Sequence, residues 1–190
     1  ATYREYNHEA NIMFRYKQGE NRLNVGVSLQ PQTTHMDYAK NMLDTTVVRN
    51  TFNWSPRIDY RWKISNTSQL RVRFNGRMSQ PSITDLLEVT DNSDPLNIST
   101  GNSGLRSSWQ NNLDLFYNAY VTEKQRGWMI NARYTQMRNN ISSAPIYNTE
   151  TGARYTRPMN IDGNWNTGGA LMYNTTMERR KYIKLNTFTN

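Results

Sequence analysis

Basic side chains recur at alternate positions in two neighbouring stretches. Arg57, Arg61 and Lys63 lie within Phe52 to Ile64, and Arg71, Arg73 and Arg77 within Leu70 to Ser79. In an extended chain, residues two apart share a face, so all six cations gather on one surface of a single hairpin. Arg15, Lys17 and Arg133 continue the trend. Such a surface suits anions, and three readings compete for it: a barrel lumen facing a plug or an anionic solute, a solvated face, and a nucleic-acid surface, in that order. The net charge of +8 is the reason to weigh nucleic acid. It ranks last because stacking platforms need aromatic rings beside the cations, and here the rings take the opposite parity. No nucleic-acid partner is therefore expected.

Residues for other chemistry are scattered. His8 and His35 stand in unrelated segments, with no His-x-x-x-His spacing and no cysteine, so neither a zinc site nor a thiol nucleophile can be assembled. Asp85, Glu88, Asp91 and Asp94 form an acidic stretch that lacks the order of an EF-hand loop, and solvated carboxylates outrank calcium there. No glycine motif cradles a phosphate, and Gly168-Gly169 fits strand flexibility or close packing. The expectation is no enzyme, no catalytic residue, no metal site and no cofactor.

The elements that position the cations are strands. Phe52, Trp54, Pro56, Ile58, Tyr60, Trp62 and Ile64 alternate with Asn53, Ser55, Arg57, Asp59, Arg61, Lys63 and Ser65, and no helical period fits that run. After a polar turn near 65–69, Leu70, Val72, Phe74, Gly76 and Met78 alternate with the arginines. Pro56 is the misfit, suited to a bulge or an unpaired position. Similar hairpins are read at Ala10 to Tyr16 with Leu23 to Leu29, at Leu113 to Val121 with Trp128 to Tyr134, and at Trp165 to Tyr173 with Ile183 to Thr187.

Hydropathy agrees with a membrane strand and not with a membrane helix. No apolar run approaches the roughly 18 residues that a spanning helix needs. A barrel strand turns only every second side chain to lipid, so a mean hydropathy of −0.88 is compatible with one. With 36% hydrophobic residues, a large soluble core would be hard to fill, while the 12% aromatic share supplies rings near strand ends, where interfacial girdles sit. On this reading Phe52, Trp54, Ile58, Tyr60, Trp62, Leu70, Val72 and Phe74 face lipid, and Arg57, Arg61, Lys63, Arg71, Arg73 and Arg77 face the lumen. A soluble sandwich with an aromatic core is the bland alternative.

The connections alternate as well. Short turns fall near 18–21, 65–69, 123–127 and 178–181, and long polar loops near 31–50, 80–108 and 138–163. Tight periplasmic turns and long extracellular loops give that rhythm in outer-membrane barrels, whereas three structureless loops of such length are unusual in a compact soluble domain. The fold class is all-β: an antiparallel up-and-down meander of about eight strands, residues 1–190 being a single stretch of a transmembrane barrel. A complete eight-stranded barrel is the rival, but the last segment stops while a spanning strand would still be continuing, so the chain is expected to be an excerpt.

The passage from Arg73 to Tyr117 carries a more specific signal. Gln80-Pro81-Ser82-Ile83-Thr84-Asp85-Leu86, then Ser93-Asp94-Pro95-Leu96-Asn97-Ile98-Ser99-Thr100-Gly101-Asn102, then Leu105-Arg106, resembles the strand-loop-strand passage of the outer-membrane β-barrel family related to TonB-dependent receptors. That family has a Pro-rich bend after an arginine-rich strand, then Asp-Pro-Leu and a Gly-Asn-Pro-x-Leu-Lys-Pro-Glu-like stretch. Here Ser103 stands where Pro is frequent, and Ser107-Ser108 where Pro-Glu is frequent. The resemblance implies the bacterial outer membrane and a role in solute or nutrient uptake. The implied partners are outer-membrane lipid, the rest of the barrel, a plug domain not found within these residues, and TonB through an N-terminal part; the substrate stays open. The rival from another class is a surface-exposed binding or adhesion β-module without transport.

Overall fold

The computed structural model describes residues 2–40, 43–90, 93–149, 151–178 and 181–189. Its main sheet contains β1 (Thr2–Asn7), β2 (Ala10–Gln18), β3 (Asn21–Lys40), β4 (Leu43–Ser65) and β5 (Ser68–Ser79). After α1 (Ile83–Leu86) and β6 (Asn97–Ser99), it continues with β7 (Ser108–Val121), β8 (Arg126–Arg138), β11 (Asn164–Glu178) and β12 (Lys181–Thr189). Between β8 and β11 lie β9 (Asn140–Tyr147) and β10 (Arg154–Ile161). Each main-sheet strand pairs antiparallel with its neighbour, in the order β1, β3, β4, β5, β7, β8, β11, β12, with β2 also on β3. β1 and β2 are one crossing strand interrupted at His8-Glu9. β1 pairs with Gln32 to Asp37 and β2 with Asn21 to Leu29, and the His8 N–H donates to the Pro31 carbonyl across the break (3.1 Å).

Among the described residues the main sheet therefore has eight extended segments, β1 with β2 counting as one, the number that alternation predicts. Gly19, at φ +59°, makes the β2–β3 turn in a conformation that glycine adopts without steric cost. Pro56 stands just beyond the β4–β5 register, which starts at Arg57↔Asn75, so the residue without an N–H coincides with the end of a ladder. The turn expected near 178–181 falls partly outside the described residues.

Two expectations about loops are corrected. Residues 31–40 and 43–50 are strand and not loop: β3 and β4 stay in register from Arg22↔Arg61 to Lys40↔Leu43. The polar composition there hid strand-forming side chains, among them Thr33, Thr34, Thr46 and Val48. Cross-strand bonds from Thr33 Oγ1 to Asn50 Oδ1 (2.9 Å) and from Thr46 Oγ1 to Asp37 Oδ1 (3.0 Å) hold the hairpin. β4, with 23 residues, reaches roughly 76 Å at about 3.3 Å per residue, about twice a tilted crossing of a 25 Å apolar band. This hairpin continues well past the membrane thickness.

The loops near 80–108 and 138–163 are not structureless either. They build a second, three-stranded sheet in which β10 pairs parallel with β6 and antiparallel with β9. Its surroundings hold the buried aliphatic side chains among the described residues, Ile83, Leu105 and Ala153. Among the described residues the main sheet has no such buried aliphatic side chain, and Phe14, Ile58, Trp62, Leu113 and Tyr134 lie exposed on it. Among the described residues no second layer covers that face, unlike the two packed sheets of a sandwich.

The sheet is open at β1/β2 and at β12. Within lipid each unpaired backbone group at those edges costs several kcal/mol. The 190-residue chain reconstituted alone in liposomes is therefore expected to give no saturable solute flux. Saturable flux from a monomer would show that it closes on itself.

Candidate functional site

Register turns the alternating pattern into two defined faces. On the polar face Lys17, Arg22, Arg61 and Arg71 stand directly opposite one another on β2, β3, β4 and β5. One step toward the long loops, Arg15, Asn24, Asp59, Arg73, Asp114 and Arg133 form the next row, across β2 to β8. A third row runs Gly26, Arg57, Asn75, Asn112 and Thr135. All six cations singled out from sequence share this face, with Lys63 at its short-turn end and Arg77 opposite Gln110 toward the loops.

The face is not uniformly basic. Asp59 meets Arg71 through both carboxylate oxygens (2.5 and 3.3 Å), Asp114 meets Arg133 Nε at 2.8 Å, and Glu20 pairs with Lys63. Sequence reasoning missed the two aspartates as partners. Their signal was available: each is an acid at the polar parity of a strand whose neighbour carries arginine.

On the opposite face, Phe14, Val25, Ile58, Phe74, Leu113 and Tyr134 form a continuous apolar row. Tyr60 lies between Leu23 and Val72, Trp62 opposite Leu70, Phe52 opposite Pro31 and Trp54 opposite Leu29. Ring pairs mark both ends. Trp54 and Trp109 are 4.6 Å apart near the long loops, and Trp128 and Tyr173 are 4.4 Å apart near the short turns. Gly76 makes room for the first pair, because a Cβ there would lie 2.6 Å from Trp109 Cζ2.

At the loop end the polar face is roofed. Arg49, on the raised part of β4, donates to the Pro81 carbonyl (2.7 Å) and to Gln80 Oε1 (3.1 Å). Gln80 donates to Asn53 Oδ1 (2.9 Å), and its Oε1 also accepts from Ser107 (2.6 Å). These bonds draw residues 80–84 over the sheet and leave a concavity of about 1080 Å³, lined by amides and hydroxyls, by Glu9, Arg49, Arg57 and Arg77, and by apolar residues such as Met13 and Ile83.

A model of the outer membrane protein beta-barrel family matches residues 1–190. The chain belongs to that family. It is a β-barrel protein of the bacterial outer membrane, as alternation and motif resemblance both implied. Among solved structures, the chain is similar to a copper transporter, OprC, with a TM-score of 0.59 and 11% identity over 97% of this chain and 28% of that one. At that identity the likeness is one of fold, and this chain spans little more than a quarter of the transporter's length. No curated protein matches the sequence.

In this outer membrane β-barrel, the passage that carried the resemblance is the joint between two loops. Asn102 Nδ2 donates to the Pro158 carbonyl (2.9 Å), and Asn160 bridges Arg106 from both sides, accepting from its N–H (2.8 Å) and donating to its carbonyl (2.9 Å). Ser82 caps α1 by accepting from the Asp85 N–H (3.1 Å). The acidic stretch does not converge. Glu88 accepts from the Ser103 hydroxyl (2.6 Å), Asp94 accepts from Asn97 (2.7 Å) and the Leu96 N–H (3.0 Å), and Asp91 lies outside the described residues.

Glu88 is expected to give this joint a pH dependence. Its carboxyl is held below the usual value first by the Ser103 hydroxyl, then by the Ser103 backbone and the charge of Arg157. A depressed folded pKa means the contribution is complete above the ordinary carboxylate range and is lost as pH falls through the lower folded value. Backbone protection at residues 85–89 and 101–104 is expected to fall as pH drops below the ordinary carboxylate range, and Glu88→Gln is expected to remove the pH step. An identical pH profile in that variant would exclude Glu88 as its source.

Proposed function

We propose that this barrel segment supplies part of the wall and the extracellular cover of a TonB-dependent receptor-like transporter that takes up a solute or nutrient. Arg57, Arg61, Lys63, Arg71, Arg73 and Arg77 face the lumen. Phe52, Trp54, Ile58, Tyr60, Trp62, Leu70, Val72 and Phe74 face lipid. The short turns are periplasmic and the long hairpin and loop sheet extracellular. A plug domain fills the lumen, TonB acts through a segment beyond this stretch, and the chain performs no catalytic step of its own.

The observation that carries this reading is the asymmetry of one sheet. One face is bare and apolar along a whole row, and the other bears paired charges below a roofed polar concavity. Similarity to the fold of a transporter supports it. Single cysteines in the full-length protein in native membranes provide the test: Arg73→Cys should react with a membrane-impermeant thiol reagent, and Val72→Cys should instead be quenched by lipid-borne probes when fluorescently labelled. Equal behaviour at the two positions would defeat the assignment. The ordered loop sheet keeps a surface-binding role in view as the second reading. Removing residues 140–161 separates them, since a binding module would lose its ligand while uptake by a transporter would change only in affinity or rate.

A further inference from the structure

The cations of the polar face divide into two sets, and sequence alone could not divide them. Arg71, Arg133 and Lys63 are neutralised by Asp59, Asp114 and Glu20. Arg73 lies directly between Asp59 and Asp114 in register. Lys17, Arg22 and Arg61 have no carboxylate partner among the described residues, although they occupy directly opposite positions on three consecutive strands. Neighbouring strands are about 4.8 Å apart, so three cationic stems start within roughly 10 Å of each other. Lys17 and Arg22 are exposed and Arg61 is half-buried, so the heads are within reach of a ligand. None of the three lines the roofed concavity, which lies on the long-loop side of this row.

Like charges set directly opposite in a sheet repel, and the acids beside the row are engaged elsewhere: Asp59 has both oxygens on Arg71, and Glu20, in the turn between Lys17 and Arg22, pairs with Lys63. Two guanidinium forks and an ammonium in one cross-strand row, with no carboxylate partner among the described residues, supply the donors that the bidentate acceptor geometry of an oxyanion takes. We infer that Lys17, Arg22 and Arg61 form an oxyanion-binding site, for a carboxylate or phosphate, at the short-turn end of the polar face. The inference rests on that face being turned to the lumen, as proposed above. The oxyanion comes either from a free solute or from an acidic side chain of polypeptide lying inside the barrel, and both present the same chemistry to the row.

The test uses the full-length protein in native membranes and a short, uncharged polyethylene-glycol maleimide. Asn24→Cys places a thiol on the same face two residues from Arg22, and Asn112→Cys places one on that face three strands away. If the oxyanion is a free solute, inorganic phosphate slows labelling at position 24 and not at 112. Arg22→Gln or Arg61→Gln then raises the half-protecting phosphate concentration about tenfold, as loss of one charge-assisted bond requires. If polypeptide carboxylates already occupy the row, labelling at 24 is slow without phosphate, and the same two variants speed it. Labelling at 24 that responds neither to phosphate nor to the variants, with 112 reactive, overturns the oxyanion site and leaves the lumen reading standing. No labelling at 112 overturns both. Arg133→Gln, which removes an arginine paired with Asp114, is expected to leave the response at 24 unchanged, and an equal effect there would show general electrostatics in place of a site.

Discussion

Arginine introduced at Ile58 or Val72 is expected to destabilise the full-length barrel by roughly 2–4 kcal/mol each, the cost of a guanidinium near the bilayer midplane. Ile58 is flanked across the strands by Val25 and Phe74, and Val72 by Tyr60 and Leu115, so neither position offers a carboxylate or a turn end for the charge. The matched change on the other face behaves differently. Arg71→Gln breaks the pair with Asp59, but the arginine side chain is 35% exposed, so screening by water holds the loss to about 1 kcal/mol or less. Solute passage should respond more than stability does. Denaturant unfolding from lipid vesicles measures the two stability losses and solute uptake by the full-length protein the passage, and similar stability losses at positions 58 and 71 would mean that the two faces are not distinguished by lipid.

Gly101→Ala is expected to dismantle the joint between the two long loops while leaving the main sheet folded. A Cβ on Gly101 would lie 2.0 Å from the Leu87 carbonyl oxygen and 2.9 Å from that of Asp85. Both obstacles are backbone, and the neighbouring Asn102 N–H is bonded to the same Asp85 carbonyl at 2.6 Å. The chain cannot yield there without losing that bond, so the penalty is at least the roughly 1–3 kcal/mol of ordinary overpacking. Limited proteolysis should cut the variant within residues 80–107 and 139–163, with heat-modified mobility of the barrel unchanged. An intact loop in Gly101→Ala would mean that the approach of these two segments is looser than the structure has it. Because Gly101 and Asn102 belong to the passage that marks the family, this prediction gives a mechanical reason for a glycine at that point.

The two faces were legible in the sequence because side-chain parity is local. Once Phe52 to Ile64 is extended, Trp54 and Ile58 must lie opposite Arg57 and Arg61, whatever the rest of the chain does. Short turns then force consecutive strands to be antiparallel neighbours, and an uninterrupted apolar row follows. Three features depended on contacts between distant residues. The stretch 31–50 reads as a polar loop, since a strand outside the membrane needs no apolar alternation, and only the pairing of residues 31–40 with 43–52 reveals β-structure there. The pairing of Asn97 to Ser99 with Arg154 to Thr156 joins segments far apart in sequence, where neither declares its partner. The separation of the neutralised Arg71 from the unpaired Arg61 depends on register and on where Asp59 points, and both arginines occupy the same parity in otherwise similar strands. Sequence by itself determined which face each side chain takes, because backbone geometry imposes a period of two; tertiary structure decided which charges meet, because register and loop pairing are set by contacts that no local period encodes.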